Sequence, residues 1–309
     1  MFVSVVIPLY NEEENIRELA GELKEHLSAY GSWEVILVDD GSTDSTFEVC
    51  KAFNSQDNRF RVIRFRKNYG QSAALAAGFD KARGEVVVTI DGDLQNNPAD
   101  IPLMLKRLEQ DNDVVVGWRY PRKDPLPKKF FSFTGRLLRR LILNDPIHDA
   151  GCTLKVFRKQ VVEEMELRGE MHRYLAEMAV INGFKVTEMK VNHRPRKHGK
   201  TKYNMTRLPG GFLDLLIIRY RQKYTSRPVH FFGGLGLLSI FIGFVIGMYL
   251  VYIKFAYHAE LARRPLLLLA VLLIIAGLQL VVMGILTDVM IRIYYKDGRN
   301  EYKIKEVLE

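Results

Sequence analysis

Hydrophobic and polar positions divide the 309-residue chain into two regimes. Up to Tyr120, short β-branched apolar runs alternate with helix-forming stretches. Residues 3–9 (VSVVIPL), 34–38 (EVILV), 85–90 (EVVVTI) and 113–116 (DVVV) have the unbroken apolarity of strands buried on both faces. Residues 61–66 alternate charge with apolarity, which predicts a strand nearer the sheet edge. Between these runs, Asn11 is expected to cap a first helix whose first turn holds Glu12, Glu13 and Glu14. Thr43 or Asp44 opens a second helix, the Ala-rich 72–82 forms a third, and 98–110 a fourth. This alternation predicts an α/β, Rossmann-like, mostly parallel sheet with helices on both faces.

The second regime begins near the carboxyl end. Residues 231–253 and 266–287 contain no charged residue. Each run is long enough to cross a hydrocarbon layer of about 30 Å at about 1.5 Å per helical residue. A buried core helix would be shorter and would show a polar stripe. The link KFAYHAELARRP is short, so the spans, about 231–253 and 266–289, are expected to form a transmembrane hairpin with both ends on one side. Basic residues crowd the outer flanks (Arg219, Arg221, Lys223, Arg227, then Arg292, Lys296, Arg299, Lys303, Lys305). The positive-inside bias places residues 1–228 and the tail, and so both termini, in the cytoplasm, as a multi-pass protein of the plasma or inner membrane. Residues 1–20 do not read as a secretory signal, because Pro8, Asn11 and four glutamates lie in or beside their apolar run.

Composition changes the picture only once this split is drawn. The mean hydropathy of −0.06 looks like that of a soluble protein but averages two unlike halves. Two cysteines, Cys50 and Cys152, cannot build a disulfide framework. The net charge of +9 is also uneven. Windows 119–140 and 194–207 carry fourteen basic residues against one acid, a net +13, so the remainder sums to −4. Residues 130–143 interleave Leu137, Leu138, Leu141 and Ile142 with Arg136, Arg139 and Arg140, the pattern of an interfacial amphipathic helix. Residues 208–220 form a second such candidate. Four regions are therefore expected: an α/β domain (1–207), a juxtamembrane amphipathic segment (208–229), a hairpin (230–290) and a tail (291–309). The partners expected are an anionic substrate and a lipid bilayer; no recognisable nucleic-acid module is present.

Ligands of parallel α/β sheets bind at the carboxyl ends of strands, and the chemistry-bearing residues fall there. Asp91, Asp93 and Gln95 lie at i, i+2 and i+4, so an extended chain would present all three to one side. Their oxygens suit Mg²⁺ or Mn²⁺, which complete their shells with phosphate oxygens. Gly92 would let a ligand approach the backbone. Asp39 and Asp40 end the second strand, where a carboxylate can accept from a base imide or a ribose hydroxyl, although one of the pair can serve only an Asx turn. Neither a G-x-G-x-x-G nor a P-loop follows the first strand, which argues against dinucleotide binding and P-loop hydrolysis.

The segments SVVIPLYNEEENI, VDDGSTDST, NYGQSAALAAGF, DGDLQNNP, VVGWRY, DAGCTLKVFRK and RKHGKTKYN occur in this order. The set resembles the inverting, GT-A-fold glycosyltransferases that act on polyisoprenyl phosphates, of the dolichyl-phosphate mannose synthase and undecaprenyl-phosphate sugar transferase type, over roughly residues 3–207. The resemblance implies that Pro8, Tyr10, Glu12 and Asp39, with Asp40 beside them, bind the nucleoside. It implies that Asp91, Asp93 and Gln95 hold Mg²⁺ or Mn²⁺ and the diphosphate. Arg119 and Arg136 match arginines that meet donor or acceptor phosphates, and Asp149 matches an acidic residue near the transfer site. Arg196, with Lys200 and Lys202, matches a basic loop over phosphate. Asp93, Asp149 and Arg119 are the implied catalytic set. Trp118 departs from the pattern where a small residue is common, and His148 precedes Asp149. A Q-x-x-R-W stretch is absent, which weighs against processive polysaccharide synthesis.

The expected activity is transfer of a sugar from a UDP- or GDP-sugar to a polyisoprenyl phosphate, dolichyl or undecaprenyl, with inversion, at the cytoplasmic face. Self-association is a further expectation. A transferase with a saccharide acceptor and a non-catalytic membrane scaffold are the competing readings; acceptor exchange and donor-dependent stabilisation separate them.

Overall fold

The computed structural model describes residues 1–120, 147–165, 167, 169, 171–195, 197, 218–220, 228–257 and 265–296. The chain separates into two compact units, Met1–Leu216 and Ile217–Glu309.

The first unit is built on a seven-stranded sheet: β1 (Phe2–Leu9), β2 (Ser32–Asp39), β3 (Phe60–Arg64), β4 (Val86–Thr89), β5 (Val114–Arg119), β6 (Lys155–Arg158) and β7 (Val186–Val191). Their spatial order is β3-β2-β1-β4-β6-β5-β7. β1 pairs in parallel with β2 and β4, β2 with β3, and β5 with β7, while β6 runs antiparallel to both β4 and β5. The expected mostly parallel α/β sheet is present, with the alternating strand β3 at an edge. In β1 the residues alternate between two cores. Val3, Val5, Ile7 and Leu9 face the first core with Ile16, Leu19 and Leu23 of α1 (Ile16–Leu27). Val6 faces the second with Ala74, Leu75 and Phe79 of α3 (Gln71–Lys81). Burial on both faces explains the unbroken apolarity of the central strands. The first core also receives Met104 and Leu105 of α4 (Ile101–Leu108); the second receives Val161 and Val162 of α5 (Lys159–Glu163) and Ala176 and Ala179 of α6 (Leu175–Ile181). The remaining helix, α2 (Thr46–Gln56), follows β2.

Two caps differ from expectation. α1 starts at Ile16, preceded by Asn15, so Asn11 is not its cap. Asn11 instead adopts φ 54°, a left-handed conformation that asparagine tolerates, and its side-chain oxygen accepts from the Thr43 N–H at 2.8 Å. The chain leaving β1 must cross the loop after β2, and this bond fixes the crossing. α2 starts at Thr46 after Ser45, so neither Thr43 nor Asp44 is its cap; Asp44 accepts from the N–H of Thr46 from the turn just before the helix.

In the second unit, α7 (Pro228–Tyr257) and α8 (Pro265–Lys296) are both long enough and apolar enough to cross a membrane. They do not behave as core helices: Leu237 is 65% exposed, Phe241 64%, Leu268 75% and Leu272 62%. The two helices pack antiparallel, and their closest approach depends on glycine. A Cβ on Gly236 would lie 2.6 Å from the Gly277 carbonyl oxygen, and a Cβ on Gly277 would lie 2.6 Å from that of Gly236. Ser239 Oγ donates to the Leu273 carbonyl at 2.7 Å across the same seam. Small residues of this kind let apolar helices associate by close backbone packing where lipid supplies no hydrophobic drive. Of the segments expected as amphipathic helices, 130–143 and 208–220, all of the first and residues 208–217 of the second lie outside the described residues; 218–220 are helical. Gly277→Val should force α7 and α8 apart and lower stability by about 1–3 kcal/mol; a fall in the unfolding midpoint of the purified protein in detergent measures it, and an unchanged midpoint refutes the seam.

Candidate active site

All parallel strands end at one edge of the sheet, and the antiparallel β6 begins there, with Lys155 opposite both Thr89 and Val116. The loops at this edge are stitched to one another by side chains. Asn11, Glu12 and Glu13 after β1 engage Ser42, Thr43, Asp44, Ser45 and Thr46 after β2. Glu12 also accepts from Asn15 Nδ2 at 2.7 Å. Pro8 and Tyr10 stand half-buried at the exit of β1.

The two adjacent aspartates of β2 divide their tasks. Asp40 is buried and spends both oxygens on backbone, accepting from the Tyr69 N–H at 2.7 Å and the Gly70 N–H at 2.9 Å. It secures the entry to α3, which is a structural task. Asp39 is fully buried; its Oδ1 accepts from the Ser42 N–H at 3.0 Å. Among the described residues its Oδ2 has no hydrogen-bond partner, and Arg64 Nε stands 3.4 Å away as an ion-pair neighbour. A buried carboxylate oxygen without a donor is costly, and an incoming N–H or O–H would satisfy it. Asp39 is thus the better placed of the two for a nucleoside.

The acidic motif is a turn, not the extended segment that the spacing implied. Leu94 has φ 60°, and Asp93 Oδ1 accepts from the Gln95 N–H at 3.2 Å. The Gln95 carbonyl in turn accepts from the Arg194 N–H at 2.8 Å. The turn leaves Asp91 and Asp93 close enough to interact electrostatically. Gly92 packs closely against β1: a Cβ there would lie 2.5 Å from Leu9 Cδ2. Burial, followed by the neighbouring Asp93 charge, pushes the Asp91 carboxyl up to about 7. Gln71 Nε2 donates to Asp91 Oδ1 at 2.8 Å. Among the described residues no group of three His, Cys, Asp or Glu side chains could hold a metal. Two crowded carboxylates with oxygen donors nonetheless fit Mg²⁺ or Mn²⁺, which take one or two protein carboxylates plus substrate phosphates.

Opposite this turn lies residues 147–153. Arg119, the last residue of β5, grips Asp149 bidentately: Nε to Oδ2 at 2.7 Å and Nη2 to Oδ1 at 2.8 Å. Its backbone N–H adds a third bond at 3.2 Å. These two residues, expected to act separately, form one unit. Thr153 joins both turns, because its carbonyl accepts from Thr89 Oγ1 and its hydroxyl from Asn96 Nδ2, each at 2.7 Å. Arg136, Arg196, Lys200 and Lys202 lie outside the described residues.

The sequence reading overlooked four residues. Lys155 is 2% exposed, and its ammonium donates to the carbonyls of Ala150 (3.1 Å) and Cys152, holding the 149–153 turn from beneath. Burial drives its pKa down, partly opposed by the surrounding acids. A lone lysine within the apolar stretch TLKVF was the available signal. Gln71, Thr153 and His172 share a small cleft with Pro8, Asp91 and Lys155; Gln71 and Thr153 lie within the segments NYGQSAALAAGF and DAGCTLKVFRK, the signal that could have found them. Both cysteines are buried thiols, Cys152 pushed up to about 11 and Cys50 to about 12, so neither is a nucleophile at neutral pH.

A mixed α/β sheet with its chemistry-bearing loops gathered at the carboxyl edge is a GT-A-like fold. Residues 4–166 match the family described as glycosyl transferase family 2, and the chain belongs to it. It is 37% identical to the dodecaprenyl-phosphate galacturonate synthase of Rhizobium johnstonii, over 99% of this chain and 93% of that protein. It is 35% identical to the undecaprenyl-phosphate 4-deoxy-4-formamido-L-arabinose transferase of Pseudomonas paraeruginosa, over 94% and 86%. Among solved structures, glucosyl-3-phosphoglycerate synthase from Mycobacterium tuberculosis, in complex with Mn²⁺, UDP and glucosyl-3-phosphoglycerate, shares the fold at a TM-score of 0.54 and 17% identity, over 72% of this chain and 79% of that one.

The raised Asp91 sets a pH dependence. Its folded value, about 7, lies above the ordinary 3.8, so its contribution to stability is complete below the ordinary value and is lost as pH rises through about 7. A divalent cation bound there must displace that proton. Stabilisation by Mn²⁺, followed as a thermal shift between about pH 5 and 8, should therefore grow with pH, with affinity falling about tenfold per unit below about 7. Asp93→Asn should abolish the shift. A pH-independent Mn²⁺ response would refute the placement.

Proposed function

We propose that the protein transfers a sugar from a nucleotide-sugar donor, UDP- or GDP-linked, to a polyisoprenyl phosphate with inversion, at the cytoplasmic face of the membrane. The observation that carries this reading is the full-length likeness to two polyprenyl-phosphate sugar transferases, which extends through the apolar hairpin. Residues 1–207 form the catalytic domain, 208–229 lie at the interface, 230–290 anchor the chain and 291–309 form the tail.

Asp39 offers Oδ2, beside its ion-pair neighbour Arg64, to a base or ribose donor. Asp91 and Asp93, with Gln95 nearby, hold Mg²⁺ or Mn²⁺. The cation, when bound, neutralises the leaving nucleoside diphosphate. Arg119, kept rigid by Asp149, presents guanidinium charge to phosphate at the end of β5, as arginines do in planar phosphate recognition. Arg136, Arg196, Lys200 and Lys202 supply further positive charge. The acceptor phosphate is largely dianionic at neutral pH, with a second pKa of about 6, and attacks the anomeric carbon as the diphosphate leaves on the opposite side. Such a nucleophile has no proton to lose. Asp149 therefore orients Arg119 and the reacting groups rather than serving as an obligatory base.

The test combines purified full-length protein, Mg²⁺ or Mn²⁺, a panel of nucleotide sugars and polyprenyl phosphate. A glycosyl-phospholipid should form with one donor, and Asp93→Ala should abolish turnover while leaving the protein folded. Product formed only with a saccharide acceptor would overturn the acceptor assignment; full activity of Asp93→Ala in chelator would overturn the metal.

A further inference from the structure

Arg119 and Asp149 come from an ordered strand and an irregular turn, respectively. Lys155 holds carbonyls of the turn, while its backbone amides at His148 and Asp149 are held by a residue of the edge strand β7. Glu188 lies opposite Val116 in the β5–β7 ladder, two positions before Lys190, which lies opposite Trp118. The Glu188 side chain is 14% exposed. Its Oε1 accepts from two successive backbone amides, His148 N–H at 2.8 Å and Asp149 N–H at 3.1 Å. Its Oε2 lies 2.7 Å from His148 Nδ1. One carboxylate thus receives three contacts from two adjacent residues, one of which is Asp149 itself.

The same two segments also meet on the neighbouring side. The His148 ring stacks on Trp118 with centroids 4.6 Å apart and an interplanar angle of 15°. Residues 118–119 and 148–149 are therefore joined twice: Trp118 stacks on His148, while Arg119 pairs with Asp149. Lys190 Nζ stands 5.4 Å from the Trp118 ring centroid and 4.5 Å from that of Tyr120, which closes the outer side of the stack. Charge-assisted bonds of the Glu188 type are roughly twice as strong as neutral ones. They act here on the backbone that carries Asp149.

We propose that Glu188 is a positioning residue for sugar transfer: by holding the amides of His148 and Asp149 and the His148 ring, it sets the Asp149–Arg119 unit at the carboxyl edge of the sheet. This rests on the function proposed above. Glu188 itself touches neither the nucleotide-facing Asp39 nor the acidic turn. Its loss should impair the transfer step and spare donor binding.

The experiment compares Glu188→Ala and Glu188→Gln with the wild type in the full-length protein. Glu188→Ala should lower kcat by about tenfold to a hundredfold, the scale of a misplacement near 1 Å. Donor KM and nucleotide-dependent thermal stabilisation with Mn²⁺ should stay near wild type. Glu188→Gln keeps one oxygen for the two amides and should recover most of the rate. In a Trp33→Phe background, Trp118 is the sole tryptophan. Its emission should change on Glu188→Ala as the His148 stack loosens, without any substrate present. An unchanged kcat, a parallel loss of kcat and nucleotide stabilisation, or no recovery in Glu188→Gln would overturn the positioning role. An unchanged Trp118 signal would overturn the anchor. A wild type without transferase activity would instead overturn the proposed reaction, and the fluorescence comparison would still report on the anchor.

Discussion

The constraint on which the site depends is the desolvation of carboxylates at one edge of the sheet. Asp39, Asp40, Asp93 and Asp149 are each no more than 6% exposed. Burying ionised oxygen is expensive unless each charge is paired or hydrogen-bonded. The fold meets that cost in different ways: backbone amides for Asp40, a guanidinium for Asp149, and an Asx turn for Asp93. Two places remain under-compensated, the Oδ2 of Asp39 and the crowded Asp91. Those are the two places where a nucleotide and a cation would supply what the protein withholds. Perturbed carboxylates concentrate at working sites for this reason.

Much of this was legible in the sequence because strands and their ends follow simple rules. The buried strands declared themselves by unbroken β-branched runs, and the edge strand β3 by alternation. The positions of Asp39, Asp91 and Arg119 follow from where those runs stop. What stayed hidden were relations set by irregular backbone. Period-two reasoning treats 91–95 as extended, but the left-handed Leu94 and the Asp93–Gln95 backbone contact make it a turn. The same limit applied to Asn11, whose capping chemistry serves a neighbouring loop instead of its own helix. Residue type told that Asp39 and Asp40 mattered; only their partners tell which one is already engaged. Pairing between Arg119 and Asp149, thirty positions apart, leaves no trace in local spacing.

The hairpin obeys a different physics. In the sheet, water-driven burial selects large β-branched side chains. Between α7 and α8 the backbones meet at Gly236 and Gly277, because in an apolar surrounding only contact distance and satisfied polar groups remain to discriminate one packing from another. Ser239 satisfies its hydroxyl within the seam for the same reason. The overall hydropathy averages these two regimes, and for that reason describes neither.

The chemistry of the proposed acceptor also bears on why an arginine–carboxylate unit is suited to the end of β5. An alcohol acceptor must lose a proton as it attacks, so a transferase using one needs a general base within reach, such as a carboxylate with an oxygen at liberty. A phosphate dianion carries its charge beforehand and needs electrostatic restraint instead. Asp149 with both oxygens on Arg119 is poorly arranged for the first task and well arranged for the second, since a guanidinium held in a fixed plane loses less freedom on meeting phosphate than an unanchored one. The buried Lys155 beneath the turn works in the same direction: its ammonium holds the Ala150 and Cys152 carbonyls and places a positive charge near both Asp91 and Asp149. A site organised in this way favours reactants that arrive already charged.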